Sequence, residues 1–215
     1  MTINKDETDC LIFDMDGTLW NATESYAAIW NEACKLNNYN KRISGKDLLP
    51  HMGKTLDRIT TGLYGQNFPM NVDEFLKDVY RLESELMPKL GGILYDGVRE
   101  GFEKLSKHYK ILLLSNCGVH GLQNFMEYTG LTPYVTDSIT FGETQVPKSQ
   151  NLKIIAERNS LKHPVYVGDT QGDCDETHKA GLPFAYMEYG FGTCDDPQLT
   201  FKSFNELTEY FLENK

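Results

Sequence analysis

The chain has 215 residues, of which 40 % are hydrophobic and 24 % are charged, and its formal net charge is −10. This length is enough for one domain with a substantial core, or for a core that carries a smaller insertion. The acidic balance argues against a nucleic-acid partner, because nucleic-acid-binding domains usually present a basic face. No stretch approaches the roughly 20 apolar residues that cross a bilayer, and the segment before Asp9 lacks the apolar region of a secretory signal. We therefore expect a cytoplasmic protein with no membrane partner.

Short runs that are apolar on both faces predict buried parallel strands. The clearest runs are residues 10–13, 110–114 and 164–167, and weaker candidates are 135–141 and 183–187. Helical patterns lie between or after these runs, at residues 97–108, 119–128, 148–159, 174–180 and 204–213. Strands that alternate with helices are typical of βαβ units. We therefore predict an α/β fold, Rossmann-like and doubly wound, around a mainly parallel five-stranded sheet.

One long segment interrupts this alternation. Between residues 20 and 90 apolar residues recur at helical spacing, and glycines and prolines divide the segment into several helices. Roughly 70 residues is far more than one crossover helix needs. We predict an all-helical domain at residues 20–90, inserted into a discontinuous core formed by residues 1–19 and 91–215.

The three clearest strands all end in polar residues: Asp14, Ser115-Asn116 and Gly168-Asp169. Open parallel sheets bind their ligands outside the carboxyl ends of the strands. If these strands are neighbours, carboxylates and small hydrogen-bonding groups converge on one place. The sequence thus predicts a site at this edge of the sheet.

Asp14 and Asp16 are separated by one residue and lead from the first strand into a glycine turn. Asp14 could attack phosphorus as a carboxylate nucleophile, and Asp16 could exchange protons with the leaving oxygen and with water. Two carboxylates beside a phosphate need a hard cation such as Mg²⁺, which Asp14, Asp16 and Asp169 could hold. The alternative is an ordinary Asx-type turn, a common loop.

The remaining candidates each have a structural alternative as well. Ser115 and Asn116 could bind phosphate oxygens at a helix start, or cap that helix. Lys148 could neutralise phosphoryl charge, although most lysines are solvated surface residues. Asp173 could lie beside the metal ligand Asp169, or complement a helix dipole.

Taken together in chain order, these motifs resemble those of the haloacid dehalogenase superfamily, and most closely its phosphoglycolate phosphatase-like branch. The resemblance runs from Cys10 to about Gly192 and implies that residues 20–90 are a helical cap. It implies a phosphatase in which Asp14 is the nucleophile, Asp16 the acid and base, and Mg²⁺ the cofactor. Asp14, the backbone carbonyl of Asp16 and Asp169 would bind the metal. The predicted phosphate ligands are Thr18, Ser115, Asn116 and Lys148.

The same resemblance leaves other functions open. The first alternative is a phosphomutase, although those relatives carry a histidine in the first cap helix where this chain has Tyr26. The second is a non-catalytic ligand-binding module, and the third is a purely structural α/β domain. The expected partner is a small phosphate ester, which the sequence does not identify, and a monomer is the default assembly.

Overall fold

The computed structural model describes residues 2–213 and residue 215. Its main sheet has six parallel strands in the order β5-β4-β1-β6-β7-β8, and β2 and β3 form a separate antiparallel pair. The strands are β1 (Cys10–Phe13), β2 (Trp20–Asn21), β3 (Ile93–Leu94), β4 (Lys110–Ser115), β5 (Asp137–Thr140), β6 (Pro164–Gly168), β7 (Phe184–Met187) and β8 (Leu199–Phe201).

The helices fall into a group between β2 and β3 and a group that alternates with the later strands. The first group comprises α1 (Thr23–Leu36), α2 (Gly45–Leu48), α3 (Leu56–Tyr64) and α4 (Val72–Leu90). The second comprises α5 (Val98–Leu105), α6 (Gly121–Thr129), α7 (Phe141–Thr144), α8 (Lys148–Arg158), α9 (Gln171–Ala180) and α10 (Phe204–Leu212).

Both faces of the sheet are buried, which explains why its central strands are apolar without alternation. On one face Phe13 packs against Phe102 of α5 and Phe204 of α10, with ring centroids 5.2 and 5.6 Å away. On the other face Ile12 belongs to a separate apolar cluster with residues of α8 and α9. Successive residues of β1 thus point into two different cores, as the pleat of a strand requires.

The α/β class and the mainly parallel, doubly wound arrangement predicted from the sequence are confirmed, but the number of strands was wrong. β8 adds a sixth strand at the edge of the sheet beside β7. It has three residues, of which only Phe201 is buried, so it lacks the continuous apolar run that identifies the central strands.

Residues 23–90 form a helical unit with an aromatic interior. Trp30 of α1 lies between Tyr64 of α3 and Phe75 of α4, at centroid distances of 6.1 and 5.9 Å. Trp20 in β2 is in register with Leu94 in β3, so the chain leaves and re-enters the larger unit at one place. The division into a core and an inserted cap domain stays a prediction. Within the described residues, no helix has the length and apolar character to cross a membrane.

Candidate active site

Three strand ends meet at the centre of the main sheet. β1 lies between β4 and β6, and the backbone N–H of Asp14 donates to the Val167 carbonyl of β6 over 2.9 Å. Ser115 ends β4 and Asp169 directly follows β6 at the same edge. The strand order therefore brings together polar residues that lie far apart in the sequence.

A buried lysine holds two of the carboxylates at this edge. Lys148, at the start of α8, donates from Nζ to Asp14 Oδ1 over 2.8 Å and to Asp173 Oδ1 over 2.5 Å. It also donates to the hydroxyl of Tyr166, 2.9 Å away. The three charged side chains are at most 4 % exposed. Because buried charges persist only when they are paired, these groups depend on one another.

The pKa values of Lys148 and of the candidate nucleophile Asp14 are both raised, which favours the charged form of the lysine and the uncharged form of the aspartate. Burial raises the pKa of Asp14 to about 6, although the charge of Lys148 acts in the other direction. Burial alone would lower the pKa of Lys148, but Asp14 and Asp173 hold it well above its usual value. Lys148 is therefore charged at neutral pH, and Asp14 is a carboxylate that a further positive charge would stabilise.

Two loops hold Asp169, which is fully buried. Its Oδ1 accepts a hydrogen bond from Thr18 Oγ1 over 3.1 Å, and its Oδ2 accepts one from the Phe191 N–H over 2.7 Å. Gly17 has a φ of +86°, and a Cβ at Gly17 or at Gly190 would collide with the Asp169 side chain. The two glycines thus leave the space that the carboxylate occupies.

One predicted phosphate ligand, Thr18, has a partner within the protein. Its side chain is fully buried and donates to Asp169, and its role as a phosphate ligand stays a prediction. The left-handed turn at Gly17, closed by its N–H to the Trp20 carbonyl, directs Thr18 toward the end of β6. Thr18 therefore orients Asp169, and it does not line the cavity above the strand ends.

The carboxylates fit a divalent cation. Asp14, Asp169 and Asp173 each offer an oxygen within 4.8 Å of the others. Burial and the charges of Asp173 and Asp14 raise the pKa of Asp169 well above its usual value, and a cation would offset both effects. Oxygen ligands of this kind are those that Mg²⁺ prefers. Asp173 already accepts hydrogen bonds at both oxygens, from Lys148 and from Thr170, whereas Lys148 and Tyr166 contact only Oδ1 of Asp14. Asp14 is therefore a better candidate for a direct ligand than Asp173.

Asp16 is separate from this cluster and lies against aromatic residues. Its Oδ1 accepts a hydrogen bond from the Trp20 indole over 2.9 Å, and its Oδ2 lies 3.4 Å from the Tyr26 hydroxyl. Burial and the charge of Asp14 raise the pKa of Asp16 to about 7, whereas the bonds from Trp20 and Tyr26 act to lower it. A carboxyl with this pKa can both release and accept a proton near neutral pH.

Ser115 and Asn116 both line the cavity, but their side chains have different partners. Ser115 Oγ accepts a long hydrogen bond of 3.3 Å from the Cys117 N–H. Asn116 Nδ2 donates to the Gly53 carbonyl over 2.8 Å, which ties this strand end to the helical unit. The roles of both residues as phosphate ligands stay predictions.

A cavity of about 770 Å³ opens above Asp14 and Asp16. The loop after β4 and the α7 region form part of its wall. Helices α1 to α4 and the segment between α2 and α3 form most of the rest, with apolar side chains such as Trp30 and Leu76. Such a cavity, mostly apolar with a few polar groups, is typical of a site for a small organic molecule.

Several residues of the site have no distinctive sequence signal. Tyr166 belongs to a buried apolar strand, and its hydroxyl contact with Lys148 depends on the β1–β6 pairing. Trp20 and Tyr26 read as core residues at helical spacing, yet both contact Asp16. The four-residue spacing from Asp16 to Trp20 would have indicated this contact only if the tight turn between them had been known.

Comparison with known proteins gives a family match over most of the chain. Residues 11–187 match the family of haloacid dehalogenase-like hydrolases. A phosphoglycolate phosphatase from Rhodobacter capsulatus is 25 % identical over 193 residues, which cover 84 % of each chain. Another from Colwellia psychrerythraea is 25 % identical over 226 residues, covering 94 % of this chain and 96 % of that protein.

Solved structures share the fold at lower identity. A haloacid dehalogenase-like family hydrolase from Streptococcus pneumoniae has a TM-score of 0.83 at 15 % identity, covering 96 % of this chain and 99 % of that one. CbbY from Rhodobacter sphaeroides, solved in complex with phosphate, has a TM-score of 0.78 at 15 % identity, covering 93 % and 96 %. The resemblance inferred from the motifs is confirmed, and the chain belongs to the haloacid dehalogenase-like hydrolases.

Proposed function

We propose that this protein is a Mg²⁺-dependent phosphatase that hydrolyses a small organic phosphate monoester through an aspartyl-phosphate on Asp14. The observation that carries the proposal is the environment of Asp14. One carboxylate oxygen is fixed by Lys148 at 2.8 Å, and the residue borders the cavity together with Asp16. The named phosphatases among the relatives at 25 % identity support the same activity.

In the first step, Asp14 Oδ2 attacks phosphorus and the bond from phosphorus to the alcohol oxygen breaks. Asp16 gives its proton to the departing alcohol. In the second step, water loses a proton to Asp16 and attacks phosphorus, which releases phosphate and restores the Asp14 carboxylate. The contacts of Asp16 with Trp20 and Tyr26 support this role, because they fix the carboxyl at the cavity wall.

The other polar residues bind and neutralise charge. Ser115 and the strand-end backbone next to Asn116 would contact phosphoryl oxygens, and Lys148 would offset negative charge on Asp14. Asp14, the Asp16 backbone carbonyl and Asp169 would hold Mg²⁺, which when bound supplies positive charge beside the phosphoryl oxygens. Asp173 contacts Lys148 and acts through it.

The helices at residues 23–90 act in this proposal as a cap. They supply most of the cavity wall that faces away from the sheet, so they enclose the leaving group and exclude bulk water. The hydrogen bond from Asn116 to Gly53 joins the cap to the strand-end loop when the two are closed.

The test measures Mg²⁺-dependent release of free phosphate from p-nitrophenyl phosphate by the wild type and by Asp14→Asn. We expect the variant and the chelated wild type to lose turnover. The variant should still fold, because Lys148 keeps its partner Asp173. Asp96→Asn, at an exposed position outside the cavity, is the matched control.

Near-normal turnover by Asp14→Asn would overturn the assignment of the nucleophile. Transfer of phosphate to a sugar without release would favour the phosphomutase alternative. No turnover of any phosphate ester by the folded wild type would favour a binding module.

A further inference from the structure

Glu83 is a carboxylate in the cavity to which neither the motifs nor the proposed chemistry gives a role. It lies on α4, in the middle of the helical unit, and borders the cavity with Asp16, Tyr26 and Tyr80. A Cβ built on Gly118 would lie 3.8 Å from Glu83 Oε2, so the carboxylate reaches the loop that follows β4. Glu83 therefore extends from the helical unit to the edge of the sheet.

Within the described part of the chain, no group donates a hydrogen bond to the Glu83 carboxylate and no cation pairs with it. The neighbouring acidic residue Glu85 differs, because it pairs with Arg81 over 3.1 Å on the outer side of the helix. Asp78 likewise accepts hydrogen bonds from Arg81 and from Asn37. Asp73, in the first turn of α4, also borders the cavity but is exposed. Among the described residues, Glu83 is thus the half-buried carboxylate that α4 presents to the cavity without a protein partner.

The basic residues that border the cavity do not compensate for this charge. Lys54, Lys77 and Arg81 are exposed. Lys54 donates to the Pro50 carbonyl over 2.9 Å, and Arg81 is engaged with its acidic neighbours. Burial and the charge of Asp16 raise the pKa of Glu83 to about 8, which shows that its charged form is poorly stabilised in this state of the protein.

Glu83 lies on the side of the cavity where the leaving group would be. Asp16 is the residue that protonates the leaving oxygen in the proposed mechanism, and Tyr26, whose hydroxyl lies 3.4 Å from Asp16, borders the same cavity as Glu83. The other charged residues that the helical unit places at the cavity, such as Asp57, Asp73 and Lys77, are exposed, whereas Glu83 is half-buried. Glu83 is therefore the charged side chain best placed there to recognise the alcohol that is attached to the phosphate. An unpartnered carboxylate there favours a donor and repels a second carboxylate.

We propose that Glu83 determines leaving-group specificity, and that it selects phosphate monoesters whose alcohol carries an ammonium or hydroxyl donor over esters that carry a carboxylate. The inference rests on the proposed phosphatase function. It separates this chain from the activity in the names of its relatives, because phosphoglycolate places a carboxylate on the leaving group.

Because the pKa of Glu83 is raised to about 8, the test is run at pH 9, where Glu83 is mostly a carboxylate. It compares kcat/KM for three esters of similar size: 2-aminoethyl phosphate, 2-hydroxyethyl phosphate and 2-phosphoglycolate. We expect the wild type to prefer the amino or the hydroxyl ester to 2-phosphoglycolate by at least about tenfold, the effect of 1.4 kcal/mol. Glu83→Gln removes the charge and keeps the shape, so the ratio of the amino ester to 2-phosphoglycolate should fall by about tenfold or more. Glu83→Ala also removes the acceptor, so a fall for the hydroxyl ester in this variant alone identifies hydroxyl recognition.

Glu85→Gln, on the same helix and paired outward, is the matched control and should leave the ratios unchanged. A wild-type preference for 2-phosphoglycolate, or ratios that stay within about twofold in both Glu83 variants, would overturn the proposal. Turnover of p-nitrophenyl phosphate by the wild type distinguishes failure of the Glu83 inference from failure of the proposed phosphatase function. If the wild type turns over p-nitrophenyl phosphate but the kcat/KM ratios do not change in the Glu83 variants, only the role of Glu83 is refuted. If the wild type does not turn over p-nitrophenyl phosphate, the proposed phosphatase function is refuted, and the inference about Glu83 with it.

Discussion

Replacing Lys148 with methionine would leave two buried carboxylates without their shared cation. Lys148 Nζ lies 2.8 Å from Asp14 and 2.5 Å from Asp173, and all three side chains are at most 4 % exposed. Removing one partner of a buried ion pair typically destabilises a protein by about 3–5 kcal/mol, because the remaining charge is uncompensated. That is a large part of the roughly 5–15 kcal/mol by which a domain is stable. With a urea m-value of about 2 kcal/mol per molar, the unfolding midpoint would fall by about 1.5–2.5 M.

The loss should also depend on pH. Without Lys148 the pKa of Asp14, already raised to about 6 by burial, rises further. The folded variant then binds more protons than the unfolded chain above the ordinary carboxyl pKa, so its stability falls as the pH rises through the raised value. We therefore expect a smaller difference from the wild type at pH 5 than at pH 8.

The assay is urea unfolding followed by far-UV circular dichroism at both pH values. Lys179→Met is the matched control, because Lys179 pairs with Glu176 on the surface and its side chain is 65 % exposed. Its midpoint should stay at the wild-type value. Adding Asp173→Asn to Lys148→Met should restore part of the stability, because it removes one of the two buried carboxylates that have lost their cation. A Lys148→Met midpoint equal to that of the control at both pH values would refute the buried-charge account.

Three further predictions concern the residues around the carboxylates. Gly17→Ala should abolish turnover because its Cβ would collide with Asp169, whereas Gly65→Ala, which has a similar φ of +81° but open space, should retain turnover; equal activities would contradict this. Trp20→Phe removes a hydrogen bond that helps to hold the pKa of Asp16 down to about 7, so the pH–rate limb that depends on protonated Asp16 should move to higher pH; an unmoved limb would exclude that contact. Mg²⁺ should raise the thermal midpoint more at pH 8 than at pH 5, because protons compete for carboxylates with raised pKa values, and Asp169→Asn should lose this effect; a pH-independent shift that survives in the variant would argue against a metal at Asp169.

The central part of the fold could be predicted because burial on both faces leaves a simple pattern. β1, β4 and β6 are continuous apolar runs that end at a polar residue, so their sequence alone places Asp14, Ser115 and Asp169 at strand ends. β8, with one buried residue, and the two-residue strands at the junction have no such pattern. Their pairing depends on tertiary contacts that no local window contains.

The start of α9 shows a similar limit at a helix end. The apolar pattern predicted a beginning at Cys174, but the helix begins at Gln171. Thr170 caps it, since its hydroxyl accepts the Asp173 N–H while Asp173 accepts the Thr170 N–H in return. A polar capping box extends the helix beyond its apolar positions.

The candidate site, like the fold, could be predicted from the sequence only in part. The strand ends predicted that Asp14, Ser115 and Asp169 lie at one sheet edge, and the family resemblance added Lys148. Neither could assign the partners of each side chain. Thr18 was predicted to bind phosphate, and the structure turns it toward Asp169 because of the left-handed turn at Gly17. Glu83 lies in an amphipathic helix like many surface glutamates, and only the packing of that helix over the strand ends reveals its position.

The most direct test of the account is to locate the covalent intermediate. The wild type is mixed with p-nitrophenyl phosphate and Mg²⁺, quenched during turnover, reduced with borohydride and mapped by peptide mass spectrometry. We predict reduction to homoserine at residue 14, where an acyl phosphate would form, and none in Asp14→Asn. Steady phosphate release by an enzyme in which residue 14 stays unmodified, or is not the residue modified, would contradict the claim that Asp14 attacks phosphorus.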